Sequence, residues 1–402
     1  MLRRQSHSRK PAAPKWNHAP KGPKMNAHSE IKTDVATKSL KVDISELRAA
    51  LAWVNKVRET WSRIPILSQN LFQVEGGQLA ITATCLDREA RQTLSCDTSD
   101  AWSFVMNGHR VMKVTAGLSG TVTIEHDVAK DLLTLTADGM SLAMNVMAPP
   151  EDWPTINKQE PLGGIEVGEN TLLRALNLVK SCISTEETRY YLNGIYWTSH
   201  DGASRMVTTN GHRLARLDLK APNPPFDVIF PRIGITPLSA MLTANGNQLA
   251  KITYRGADKT PTLLSIEMGD RELHCKLIDG TYPDYNRVIP SVDGEQAFDI
   301  IIPKSATQRL RLMAGPHDLG CKISPEKGTM TIGREDHDGK MSVTYAAKGK
   351  SGPDIGFNTL YLAQTTATMG NIRLRAKDNG APALATSEAH TDLIMVLMPM
   401  RV

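Results

Sequence analysis

No Cys-x-x-Cys pair occurs in this sequence. Its five cysteines (Cys85, Cys96, Cys182, Cys275, Cys321) are scattered, which excludes a zinc ribbon and a disulfide scaffold and fits a reducing compartment. No apolar run reaches the ~18–20 residues of a membrane span, and no signal-peptide core precedes a cleavage site. Enzyme signatures are missing as well: there is no GxGxxG after a strand, no Walker-type loop, no HExxH and no GxSxG. The eleven histidines are dispersed. "REDHDGK" (334–340) lacks the full calcium-loop pattern and reads as a polar hairpin tip. No metal, cofactor or catalytic residue is therefore expected.

Acid is absent from one stretch. Residues 1–28 carry seven Lys/Arg, four prolines and no Asp or Glu, so the formal net charge of +5 belongs to this tail. The other residues hold 40 basic against 42 acidic side chains, a net of −2. The tail, taken as residues 1–40, reads as disordered. It is either a nucleic-acid-binding arm or a solvated leader.

What is present is a pattern that recurs. In "KVDISELRAALAWVNKVR" (41–58), Ile44, Leu47, Leu51 and Val54 make one apolar helical stripe after an extended start. "IEVGENTLLRALNLVKSC" (165–182) repeats it, with Leu-Arg-Ala at 173–175 echoing 47–49, and "FDIIIPKSATQRLRLMAG" (298–315) is a weaker third copy. Second helices are expected near 108–117, 234–244 and 359–369, each followed by alternating strands. Each unit closes on a strand running into proline: "MNVMAPPEDWP", "CKLIDGTYPDYNRVIP" and "MVLMPMRV". This predicts an α+β chain of three tandem similar domains, each with two helices and antiparallel sheet, over 41–158, 159–291 and 292–402.

"NGHR" occurs at 107–110 and 210–213, and Asn-Gly is a turn signal in both. His212 has no carboxylate or nucleophile at motif spacing, which argues against an enzyme site around His212 and Arg213. The chain's last residues, "LMPMRV", are apolar where termini are usually frayed and hydrophilic. Leu393 to Val396 reads as a buried strand that must end near Pro399.

"RYYLNG" (189–194), "TNGHRLA" (209–215), "LIDGTYPDYNRVIP" (277–290), "IGFN" (355–358) and "MPMRV" (398–402), in this order, resemble the bacterial sliding clamp family, the DNA polymerase III beta subunits. The resemblance implies three domains of the DNA-clamp fold and a head-to-tail dimeric ring around duplex DNA. It implies a non-catalytic processivity factor in the cytoplasm, at the nucleoid. Its partners would be the replicative polymerase catalytic subunit, a clamp-loader ATPase complex and other proteins with clamp-binding motifs.

Carried over by position, the resemblance implies a partner-peptide groove. Its residues would be Leu192, Thr209, Gly211, His212, Arg213, Leu214, Pro283, Arg287, Val288, Val396, Met398, Pro399, Met400 and Arg401, with Asn358 and Tyr361 at the rim. Arg48, Lys56, Arg58, Arg63, Arg174, Lys180, Tyr190 and Tyr191 would face DNA. Leu142 and Met144 would meet Leu312 and Met313 of a second subunit. Asn210, Asn286, Val402 and the basic tail depart from the family pattern. Glu186 and Glu187 beside the tyrosines motivate an alternative, a clamp-like regulator or decoy that binds partner peptides without efficient loading on DNA.

Overall fold

The computed structural model describes residues 37–58, 63–98, 100–242, 247–291, 298–314, 320–332, 341–345, 348–350 and 352–401. The tail at 1–36 and the "REDHDGK" loop lie outside them. The first run of elements is β1 (Lys38–Asp43), α1 (Ile44–Val54), β2 (Asn70–Glu75), β3 (Gln78–Thr84), β4 (Arg88–Ser95), β5 (Trp102–Met106), α2 (Gly108–Val114), β6 (Thr121–Asp127), β7 (Leu132–Ala137) and β8 (Met140–Asn145). The second is β9 (Pro161–Gly168), α3 (Glu169–Val179), β10 (Gly194–His200), β11 (Ala203–Thr209), β12 (Arg213–Leu219), β13 (Val228–Pro231), α4 (Arg232–Met241), β14 (Leu249–Ala257), β15 (Thr260–Met268) and β16 (Arg271–Lys276). The third is β17 (Phe298–Ile302), α5 (Lys304–Met313), β18 (Gly320–Ser324), β19 (Thr329–Ile332), β20 (Met341–Thr344), β21 (Lys348–Lys350), β22 (Ile355–Asn358), α6 (Thr359–Met369), β23 (Ile372–Ala376), β24 (Ala383–Ser387) and β25 (His390–Leu397).

All three runs follow one order: strand, helix, four strands, helix, three strands. The short β21 is the single addition, laid along β17. Local chemistry sets the helix starts. Asp43 caps α1 by accepting from the backbone N–H of Ser45 and Glu46, and Ile44, Leu47, Leu51 and Val54 are all fully buried, as the helical stripe requires. β1 begins at Lys38, inside the stretch read as tail, because Leu40 and Val42 alternate inward while Lys41 and Asp43 face out.

The described strands form four antiparallel sheets. β1-β6-β7-β8 and β20-β19-β18-β22 have four strands each. The larger two span runs: β5-β2-β3-β4 joins β16-β15-β14-β9, and β13-β10-β11-β12 joins β25-β24-β23-β17-β21. The junctions are therefore β4 against β16 and β12 against β25. Helices meet at the same two places, α1 on α4 and α3 on α6, whereas α2 and α5 pack on α1 and α6 of their own runs.

Candidate functional site

The residues expected to form a groove gather at the β12–β25 junction. A three-residue turn, Asn210-Gly211-His212, links β11 to β12. The Thr209 hydroxyl donates to Arg213 O (2.8 Å) and accepts from Gly211 N (3.1 Å). Asn210 Oδ1 accepts from the N–H of His212 and of Arg213. Gly211 sits at φ +84°, where a side chain would be strained.

The turn aims Arg213 inward, where it is only 7% exposed. One guanidinium nitrogen donates to Ser181 O, and the group lies 4.3 Å from the centre of the Tyr361 ring. Its Nε and Nη1 find no partner among the described residues. Desolvation pulls its pKa down, but arginine keeps its charge at neutral pH. Tyr361 is held in place because Asn358 caps α6, accepting from Tyr361 N. The His212 ring lies over the other part of Tyr361, with centroids 6.3 Å apart.

The C-terminal segment supplies one wall. Leu214 pairs with Val396 and Arg213 with Leu397. Beyond β25, Met398 N donates to His212 O and Met400 N to Gly356 O, both at 2.9 Å. The apolar ending is thus tied down, with Met398 and Met400 partly exposed at 41% and 38%. Beneath lies an apolar cluster separate from the main core: Leu192, Val207, Leu214, Ile229, Tyr282, Tyr285, Leu384 and Val396. Pro283 and the exposed Val288 flank Tyr282 and Tyr285, and Arg287 pairs with Asp284 at 3.1 Å. Arg401 lines a cleft beside Pro399 and Met400 with Lys322 and Asp354.

Sequence reasoning missed Val207, Ile229, Tyr282, Tyr285 and Leu384 in the floor. Their strands are buried on both faces around Val207, Ile229 and Leu384, so alternation does not single them out and only the sheet order shows that they face this cluster.

The β4–β16 junction has the same turn with other chemistry. Thr84 Oγ1 donates to Arg88 O and accepts from Leu86 N, as Thr209 does. Here, however, Glu89 and His274 hold the paired positions of Leu214 and Val396. Glu89 is buried, accepts from Ile156 N and lies 3.6 Å from Lys158 Nζ. Buried polar groups with partners resist displacement by an apolar ligand. At these paired positions the β12–β25 junction is apolar and the β4–β16 junction polar.

The basic residues named for DNA are spread over both helical runs. Lys56, Arg63, Arg174 and Lys180 are exposed. Arg48 donates to Thr115 O, Arg58 to Ser68 O and Lys180 to Asn177. Arg174 makes a two-pronged bond to Asp392 of β25 at 2.7 and 2.8 Å. Tyr190 is exposed and meets Tyr191 edge to face; Glu186 is held by Arg189 at 2.6 Å. Leu142 is half-buried and Met144 buried on β8, while Leu312 on α5 is 87% exposed. The Met313 side chain and Val402 lie outside the described set. Among the described residues no cluster of three or more His, Cys, Asp or Glu could hold a metal, and no helix is long and apolar enough to cross a membrane.

Residues 39–157 match the N-terminal domain model of the DNA polymerase III beta subunit, and residues 166–284 match its central domain model. Together these cover more than half of the chain. A beta sliding clamp of Caulobacter vibrioides is 28% identical over 376 residues, spanning 90% of this chain and 100% of its own. One from Pseudomonas aeruginosa is 28% identical over 364 residues, 87% of this chain and 96% of its own. Among solved structures, the Bartonella birtlesii clamp bound to griselimycin superposes with a TM-score of 0.83 at 27% identity, covering 91% of this chain and 100% of that one. The Caulobacter crescentus clamp with a bound polyethylene glycol gives 0.82 at 27% identity, covering 92% and 100%.

Proposed function

Because the chain belongs to the DNA polymerase III beta subunit family, we propose that it acts as a DNA sliding clamp. Two chains close head to tail around duplex DNA and tether the replicative polymerase to it. The clamp is not an enzyme. It supplies topology, so phosphate attraction need only centre the duplex and carries no sequence information.

The observation that carries this is the bookkeeping of junctions. β4, β12 and β20 hold the same place in their runs, as do β8, β16 and β25. β4 already pairs with β16, and β12 with β25. That leaves β20 and β8, both at sheet edges, as the third pair. Helices agree: α1 meets α4 and α3 meets α6, so α5 is left for α2. Within one chain these ends are at opposite limits of the run order, so a second chain completes the match in a heterologous interface that closes by rotation. Leu142 and Met144 on β8 and Leu312 and Met313 on α5 sit at this seam, and the three domains are 41–158, 159–291 and 292–402, with the first strand starting a few residues earlier.

The groove over the Leu192–Leu214–Val396 cluster takes a short apolar segment of the polymerase, with Arg213 and His212 at its polar edge and the methionines adapting to related peptides. Arg48, Lys56, Arg58, Arg63, Arg174, Lys180, Tyr190 and Tyr191 face the duplex. Opening the ring falls to a clamp-loader ATPase, and the protein works in the cytoplasm at the nucleoid. The test is retention on DNA: full-length protein loaded on a nicked circle should stay bound in high salt and be released when the circle is cut. Loss from intact circles at the same rate as from linear DNA would overturn the ring.

A further inference from the structure

Beside the groove lies a cleft of about 440 Å³ that the peptide site does not account for. β13 and its lead-in form one side, the strand start at Thr260–Thr262 another, and the connector at Leu277–Tyr282 the third. Ile278 N donates to Ile229 O, which fastens the connector to β13. Groove and cleft share a wall, since Ile229, Ile278 and Tyr282 line the cleft and also pack in the cluster under Leu214 and Val396.

The chemistry of the cleft differs from that of the groove. Tyr196 and Tyr282 stack almost parallel, with ring centres 4.6 Å apart. The Tyr196 hydroxyl donates to Asp227 Oδ2 at 3.0 Å, and Thr198 Oγ1 donates to Oδ1 at 2.6 Å. Those two bonds fix the carboxylate. Asp279 stands exposed on the connector side. Among the described residues no lysine or arginine lines the cleft; Lys259, at the hairpin tip, lies outside it. Two carboxylates beside aromatic faces suit a planar or compact cation, and the volume is in the range of small-ligand sites.

We propose that this cleft receives a basic side chain, arginine above all, from the partner segment whose apolar part fills the groove. It thus selects partners with a positive flank. The inference rests on the groove assignment and adds a specificity element to it. Charge complementarity and the shared wall support it: Tyr282 belongs to both sites, and Asp279 and Asp227 line the cleft. Arginine's flat guanidinium fits the stacked rings and a fixed carboxylate better than an ammonium does.

The test is fluorescence anisotropy on the full-length protein. The probe is a labelled short peptide with leucine and phenylalanine anchors, made with an arginine pair at its N-terminus, at its C-terminus or at neither. One extended form should bind about three- to tenfold tighter than the plain form. Asp279→Asn, which alters only an exposed side chain, should remove most of that gain, and Asp227→Asn the rest, with plain-peptide affinity unchanged in both. An equal gain in the variants, or no gain at all, overturns the cleft and leaves the groove standing. If no peptide binds, the groove assignment itself falls and takes the cleft with it.

Discussion

The tetrapeptide Asn-Gly-His-Arg has two fates in this chain. At 107–110 Asn107 is the N-cap of α2, accepting from Arg110 N. At 210–213 Asn210 accepts from Arg213 N in the same way, but a strand follows. What differs is the sequel: Val111 buries one helical turn on, whereas Arg213 opens β12 and Leu214 and Ala215 behind it are buried on its two faces. The glycines differ too. A Cβ on Gly108 would lie 2.5 Å from Leu51 Cδ2, so α1 and α2 approach closely only because it is absent. Gly108→Ala should therefore cost roughly 1–3 kcal/mol by overpacking, read as a lower urea midpoint at unchanged slope. Gly211→Ala should cost about 1 kcal/mol for its positive φ, while the flexible Arg189 side chain, whose Nη1 would lie 2.6 Å from the new Cβ, can swing aside. The cysteines give a second residue-scale expectation. Burial pushes the Cys275 and Cys321 thiols up to about 12. The half-buried Cys96 is also raised, by desolvation first and Asp97 second. Iodoacetamide at pH 8 should modify Cys96 first and slowly, and the buried thiols only on unfolding, as mass spectrometry of adducts would report.

At the scale of elements, α4 carries Pro237 inside the helix, which deprives the Ile233 carbonyl of its i+4 donor. Arg88 of β4 supplies one instead, at 2.8 Å. Pro237 O in turn accepts the buried Trp53 indole N–H of α1 at 3.0 Å. The irregular helix is thereby stitched into the first junction. Trp53→Phe keeps the ring and loses the bond, so it should destabilise by about 1 kcal/mol in chemical denaturation. The second junction is stitched by charge. Arg174 donates to Asp392 and holds its carboxyl below the ordinary carboxylate value. A folded-state pKa below the unfolded ~3.9 means the stabilisation is complete above that value and is lost as pH falls through the lowered one. Arg174→Gln should thus lower stability at pH 7, and the difference from wild type should shrink as pH drops below ~4. A difference that does not shrink as pH falls below ~4 would argue against the ion pair as its source.

For the whole molecule, the proposed ring would place its seam at β20 and β8, edge strands among the described residues, and at the 87% exposed Leu312. Light scattering should give twice the 44.1 kDa of one chain. Leu312→Arg, at so exposed a position, should leave the monomer folded and shift the mass toward one chain, with peptide affinity retained. A mass that stays at two chains would move the seam elsewhere. The body's slight negative charge suits a ring that slides, because strong net attraction to phosphates would hold it in place. With the proposed groove at the β12–β25 junction of each chain, the proposed ring would offer two.

Local order was legible in the sequence. The stripe of α1, the strand–helix openings of all three runs, the Asn-Gly turn before β12 and the strand at Leu393–Val396 follow from period and turn chemistry, which act over a few residues. Resemblance supplied the groove residues, and Leu192, Leu214 and Val396 do share one cluster. Which strands meet was decided by the tertiary structure. Thr84 and Thr209 make the same turn, yet one junction buries Glu89 against His274 and the other Leu214 against Val396. Arg174 reads as a free cation on a helix until a partner 218 positions away reaches it. Periodicity says which way a side chain points, but what it meets depends on sheet edges brought together across the whole chain, and no local pattern encodes that pairing.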